Sequence, residues 1–183
     1  MEYVKKMEIR EAKDSDINEV LSVEKLAFGY DKEAELVSDL LGDESAKPRL
    51  SLLAFDGEKA IGHILFTKVL LNGNEGISMS ILAPLAVLPE YQKQGVGGKL
   101  IEKALEILKE SGVDLVFVLG HPEYYPKFGF NPAGKLGLEA PYHIPPECAE
   151  AWMVQELRKG ILGSVKGKVQ CSDELNKPEH WKE

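Results

Sequence analysis

Leu85-Ala-Val-Leu-Pro-Glu-Tyr-Gln-Lys-Gln-Gly-Val-Gly-Gly-Lys-Leu-Ile101 is the stretch on which the reading of this chain turns. An apolar, strand-like run ends at Leu88-Pro89, a turn with Gly95, Gly97 and Gly98 follows, and an amphipathic stretch begins. Leu100, Ile101, Ala104, Leu105 and Leu108 recur at helical spacing while Lys99, Glu102, Lys103, Glu106 and Lys109 face outward, which predicts a helix over about 96–110. The first N–H groups of a helix lack internal partners, and the macrodipole puts partial positive charge there. Strand, glycine turn and helix together therefore predict a pyrophosphate seat on the amides of Lys93, Gln94, Gly95, Val96, Gly97 and Gly98. The plainer alternative is that these glycines only let a turn pack tightly.

Two better-known glycine motifs fail here. A Walker A loop needs glycine at 93 and Ser or Thr at 100, where Lys93 and Leu100 stand. The dinucleotide fingerprint needs its third glycine at 100 and an acidic residue after the next strand, where Leu119-Gly120 stands.

Upstream, residues 8–11 read as a short strand. Asp14-Ser15-Asp16 supplies N-cap candidates for a helix over about 16–28, with Ile17, Val20, Leu21, Ala27 and Phe28 on one face and Glu24 on that same face. A second helix over about 32–41 buries Leu36, Val37, Leu40 and Leu41 and stops at Gly42. Arg49–Phe55 and Ala60–Leu71 read as strands joined at Asp56-Gly57, and Gly76–Val87 completes an antiparallel meander. Pro84 cannot donate to a ladder, so a bulge or an edge is expected there. Downstream, Val113–Leu119 reads as a buried parallel strand reached by a crossover. Residues 131–150, with four prolines, read as loop; Trp152–Leu157 and Val165–Cys171 read as strands, and the last dozen residues are expected to fray. The order predicts an α/β fold with a mixed, largely antiparallel sheet and flanking helices.

The 183 residues suit one domain, with 44% hydrophobic and 28% charged residues. No run approaches the ~18 apolar residues of a membrane helix, and the N-terminal Met1-Glu-Tyr-Val-Lys-Lys has no apolar leader segment, so a cytoplasmic protein is expected. A net charge of −8 argues against nucleic-acid binding and is compatible with a cationic partner, although acidity also serves solubility alone. Cys148 and Cys171 are expected to be reduced packing residues, and no two of the four histidines have metal-ligand spacing, so no metal is expected.

The Leu85–Ile101 stretch resembles the central motif of the GNAT superfamily of N-acetyltransferases: an apolar strand ending Leu-x-Val-x-Pro, then Gln/Arg-x-x-Gly-x-Gly/Ala, then a helix. Tyr125-Pro-Lys-Phe-Gly-Phe130 resembles the family's Tyr-x-x-x-Gly-Phe segment, although Gly120-His-Pro-Glu-Tyr-Tyr departs from the commoner Asn-x-x-Ala helix start and suggests a truncated helix. The resemblance covers about residues 7–133, the C-terminal strands and loops of about 134–183 completing a single N-acetyltransferase domain.

What the resemblance implies is a fold with splayed fourth and fifth strands, acetyl-CoA as the acyl donor with CoA as product, and an amine acceptor attacked directly in a ternary complex. Leu85, Ala86 and Val87 would line the pantetheine cleft, and Lys93 to Gly98 would hold the pyrophosphate. Tyr125 occupies the position that protonates the departing thiolate in similar enzymes; its alternative is a packed aromatic. Glu24, on a helix that walls the acceptor site in similar enzymes, is the candidate base, its alternative being a paired carboxylate. His121 is a second candidate base; His63 is expected to satisfy a core hydrogen bond, and His143 to contact the acceptor or lie on the surface. A homodimer is compatible with the family. A non-catalytic acyl-CoA-binding module is the competing function.

Overall fold

The computed structural model describes residues 7–181. Met1–Lys6, on which the expectation of no leader rests, lie outside the described residues.

The meander forms as β1 (Met7–Glu11), β2 (Leu50–Asp56), β3 (Lys59–Leu71) and β4 (Met79–Val87), each antiparallel to the next. β4 starts three residues later than the apolar run at Gly76 suggested. α1 (Ile17–Phe28) and α2 (Lys32–Leu41) come between β1 and β2, and Gly29 ends α1 in the left-handed conformation at φ 77°. Asp14–Asp16 is a short 3-10 turn rather than a cap. The Asp16 carboxylate accepts from Lys13 N–H and pairs with Arg10 at 2.7 Å, so it ties the turn to β1 instead of capping α1.

α3 (Val96–Glu110) crosses over from β4 to β5 (Leu115–Leu119), which pairs in parallel with β4. β5 starts later than Val113 because Asp114 is drawn into the loop, exchanging hydrogen bonds with Ser78. Beyond β5, the segment expected to be loop contains two short strands, β6 (Asn131–Pro132) and β7 (Leu138–Glu139). β8 (Trp152–Glu156) runs antiparallel to β5, and β9 (Gly167–Cys171) adds to the far end of β3. The strand order is β1-β2-β3-β4-β5-β8-β6.

The sheet separates two apolar clusters. One packs Leu100, Ile101, Ala104 and Leu108 of α3 on Leu52, Ile64, Phe66 and Val116, each large side chain contributing roughly 1.5–3 kcal/mol on burial. The other packs Val20, Val37 and Leu40 of α1 and α2 on Leu53, Leu65 and Phe117. The C-terminal segment does not fray over its described part. Trp181 is buried, packs edge-on to Trp152 with ring centroids 5.5 Å apart, and donates its indole N–H to Leu175 O. Cys148 and Cys171 are free.

Candidate active site

β4 and β5 stay paired only from Met79–Leu115 to Leu82–Val118. Past that point β4 bulges: Leu82 pairs with Phe66 and Leu85 with Ile64, so Ala83 and Pro84 share the space opposite Leu65. A cleft of about 290 Å³ opens where the strands part, lined by Leu82–Leu85 of β4, Val118–His121 at the end of β5, and Tyr125. Leu88 N–H donates to Ile61 O, so strand alternation turns the N–H groups of Val87 and Leu85 away from β3, toward the side β5 has left. Ala86 is the neighbour whose backbone faces β3, where it pairs with His63.

At the edge of this region the glycine turn leads into α3. The first helical bond runs from Lys99 N–H to Gly95 O, and the six N–H groups of Lys93 to Gly98 have no hydrogen-bond acceptor among the described residues. Lys93 and Gly95 both take positive φ, 62° and 85°, which turns successive amides the same way. The three glycines do different work. A Cβ at position 95 would meet open space, whereas one at 97 would stand 2.8 Å from Tyr124 Oη and one at 98 would stand 3.0 Å from the Phe128 ring. Gly95 is thus a conformational requirement, and Gly97 and Gly98 are packing requirements. The packing reading applies at Gly97 and Gly98 and does not extend to Gly95.

The segment that packs there is a 3-10 turn, Tyr125–Phe128, the truncated helix expected from the sequence. The Tyr125 ring lies against Gly120 so closely that a Cβ there would stand 2.4 Å from Tyr125 Cε2. Tyr125 is buried, its phenol makes no hydrogen bond among the described residues, and burial together with Tyr124 raises its pKa. Its hydroxyl is therefore held neutral, and the residue lines the cleft.

The remaining walls come from α1, α2 and the C-terminal segment: Phe28, Lys32, Glu33 and Leu36 on one side, Leu175, His180 and Trp181 on the other. Glu24 lies behind this wall, fully buried, rather than on it. Its Oε2 stands 2.6 Å from His63 Nδ1, and His63 Nε2 stands 2.8 Å from Ser51 Oγ. Burial, with Glu33 adding its charge, raises the Glu24 carboxyl to about 9, and burial pushes His63 down to about 3. Both directions favour a neutral acid donating to a neutral imidazole. His121 lines the cleft as expected, whereas His143 lies in a separate pocket with Tyr142, Trp152 and Lys168. Glu33 is the wall residue the sequence reading missed. It sits three, four and seven residues before Leu36, Val37 and Leu40, on the stripe that packs inward. Among the described residues no group of three or more His, Cys, Asp or Glu is placed to hold a metal.

Comparison with known proteins finds relatives of this chain. Residues 8–133 match the family model described as an acetyltransferase (GNAT) domain. The chain is 51% identical over 161 residues to the uncharacterized N-acetyltransferase YjhQ of Escherichia coli K12, covering 87% of this chain and 88% of that one. It is 34% identical to the uncharacterized N-acetyltransferase YhbS of the same strain, over 82% and 87%. The crystal structure of Escherichia coli YhbS in complex with CoA superposes with a TM-score of 0.84 at 31% identity, over 93% of this chain and 92% of that one. A GNAT family acetyltransferase from Brucella melitensis in complex with acetyl-CoA gives 0.73 at 27% identity, over 93% and 98%.

Proposed function

Since this chain belongs to the GNAT acetyltransferase family, we propose that it transfers the acetyl group of acetyl-CoA to a primary amine by direct attack in a ternary complex. The observation that carries the reading is the pair of unsatisfied backbone surfaces on either side of one strand-helix junction: the amides of Lys93 to Gly98 and the strand edge that β5 leaves at Leu85–Val87. Six amides without acceptors at a helix N-terminus suit a pyrophosphate. An open strand edge suits the amide-bearing pantetheine arm, which can pair with it as an added strand. Residues 1–183 act as one domain in this reading, since β8 and β9 complete the sheet begun by residues 7–119.

The chemistry follows from the groups around the cleft. The oxyanion that develops as the amine attacks needs a donor, and the N–H of Val87 or Leu85 faces the right side. The departing thiolate needs a proton, and Tyr125 offers a neutral phenol. The amine must itself lose a proton before it attacks, and the carboxyl groups on this side of the cleft are Glu33 on the wall and Glu24 behind it. A non-catalytic CoA-binding module would need none of these, so an unpaired buried phenol favours the enzyme.

The test is a thiol-release screen of acetyl-CoA against a panel of primary amines, followed by the mass of each product. Thiol release with an amine and a product heavier by one acetyl group is expected. CoA that raises the melting temperature, with no turnover on any amine, would leave the binding module instead.

A further inference from the structure

Two carboxyl oxygens are buried without a hydrogen-bond partner in the same region, Glu24 Oε1 on α1 and Glu33 Oε2 on α2. Buried acceptors of this kind are uncommon, and each calls for an explanation. The two helices pack on each other, and Glu33 is the charged group that adds to burial in disfavouring ionisation of Glu24. Neighbouring carboxyls cannot both ionise cheaply, so environment decides which one keeps its proton. Glu24 has every reason to keep it: no exposure, and a buried imidazole at 2.6 Å to accept it. Glu33 instead stands on the cleft wall, with its buried Oε2 open to a partner.

Ser51, His63 and Glu24 also have the order of a hydrolase triad, and that reading fails on proton placement. With Glu24 donating to Nδ1, the ring proton sits on Nε2 and points at Ser51 Oγ. The serine then has no base. The chain instead fixes Glu24 as a neutral group.

The walls that α1, α2 and the C-terminal segment give the cleft are otherwise largely apolar, with Phe28, Leu36, Leu175 and Trp181. His180 is pushed toward its neutral form by burial, and Lys32 is exposed at the rim. The cleft thus offers one partnerless carboxyl oxygen, Glu33 Oε2, against apolar and aromatic surface.

We infer that the acceptor is a small primary amine with an uncharged apolar or aromatic body, whose ammonium is received and deprotonated by Glu33 while Glu24, held by His63, acts as a positioning residue. This rests on the N-acetyltransferase reading above. In the step, an ammonium N–H bond breaks and an O–H bond forms on Glu33; the freed nitrogen lone pair forms the new C–N bond, the thioester C–S bond breaks with its electron pair going to sulfur, which takes the Tyr125 proton, and the nitrogen gives up its second proton to solvent as the neutral amide forms. Tyr125 recovers its proton from solvent and Glu33 returns its own to solvent when product leaves.

The test compares arylalkylamines and alkylamines with diamines and amino acids, using wild type, Glu33→Gln and Glu24→Gln, with CoA affinity measured by calorimetry as the folding control. The apolar monoamines should lead in kcat/KM by about tenfold or more, a difference of about 1.4 kcal/mol. Glu33→Gln should lower kcat by roughly 10²-fold or more, within the range for loss of a general base, with CoA affinity unchanged. Glu24→Gln can still donate an amide N–H to His63, so it should lower kcat by less than Glu33→Gln does. Full activity of Glu33→Gln, severe loss in Glu24→Gln alone, or preference for a diamine or amino acid would overturn the inference while leaving the acetyltransferase reading intact. Absence of turnover with every amine would remove both.

Discussion

Tyr125 and Gly120 form a unit whose two members can be separated by mutation. In the proposed reaction the Tyr125 phenol is the proton donor, and Gly120 is the space its ring occupies. Tyr125→Phe keeps the ring in place and removes only the proton. Turnover should fall by about 10²–10⁴-fold, the usual worth of a general acid, with CoA affinity by calorimetry within a factor of two or so of wild type. Normal turnover in Tyr125→Phe would take the phenol out of the chemistry. Gly120→Ala keeps the proton and moves the ring, because its Cβ would stand 2.4 Å from Cε2 of a buried side chain. Overpacking of this kind costs about 1–3 kcal/mol, so the variant should lose both melting temperature and turnover. A Gly120→Ala protein as stable and active as wild type would show that the turn at residues 120–125 yields easily. Tyr125 was legible from the sequence by its spacing to Gly129-Phe130, whereas the dependence on Gly120 was not, since it arises from a ring folding back over five residues.

At the scale of elements, the first turn of α3 and the 3-10 turn Tyr125–Phe128 are one joint. Gly97 receives Tyr124 and Gly98 receives Phe128, so the amides that suit a pyrophosphate and the turn that carries Tyr125 are held in register by two missing side chains. Gly98→Val should push the Phe128 ring outward, lowering stability by about 1–3 kcal/mol and turnover with it. Phe128→Ala in the same chain should give back most of the turnover, since it removes the group that clashes. Failure of the second change to compensate would mean that Gly98 matters for ligand approach rather than for packing. α3 itself was legible to the residue, because a strong 3.6 period with charges outside leaves little choice. The bulge was legible from Pro84, whose missing N–H forbids a regular ladder. β6, β7 and the buried Trp181 were not, because their partners, Met153, Val154, Gly167, Lys168 and Trp152, are distant in sequence and short proline-rich segments carry no period. Glu33 was missed for a different reason: its place on the α2 stripe is the same signal that singled out Glu24, but the reading of α2 stopped at its leucines.

For the whole molecule, the Ser51-His63-Glu24 chain joins β2, β3 and α1 beneath the cleft, and its titration sets how stability varies with pH. Glu24 has a folded value of about 9 against an ordinary 4.5, so between these values the folded chain holds one proton more than the unfolded chain. Stability therefore falls as pH rises through that window. His63 has a folded value of about 3 against an ordinary 6.5, so between these values the unfolded chain holds one proton more. Stability falls there as pH drops. From 4.5 to 6.5 the two slopes oppose each other and the contribution of the pair is flat and maximal. Above 6.5 only the Glu24 slope remains, at most about 1.4 kcal/mol per pH unit; below 4.5 only the His63 slope remains. Denaturant melts taken from pH 4 to pH 9 should show a plateau in mildly acidic solution and a decline toward alkaline pH. Glu24→Gln cannot ionise, so its melts should lack the alkaline decline while keeping the acid one. An alkaline slope unchanged in Glu24→Gln would mean that Glu24 is ionised in the folded chain and bound to imidazolium, in which case a negative charge stands at Glu24 beside the cleft.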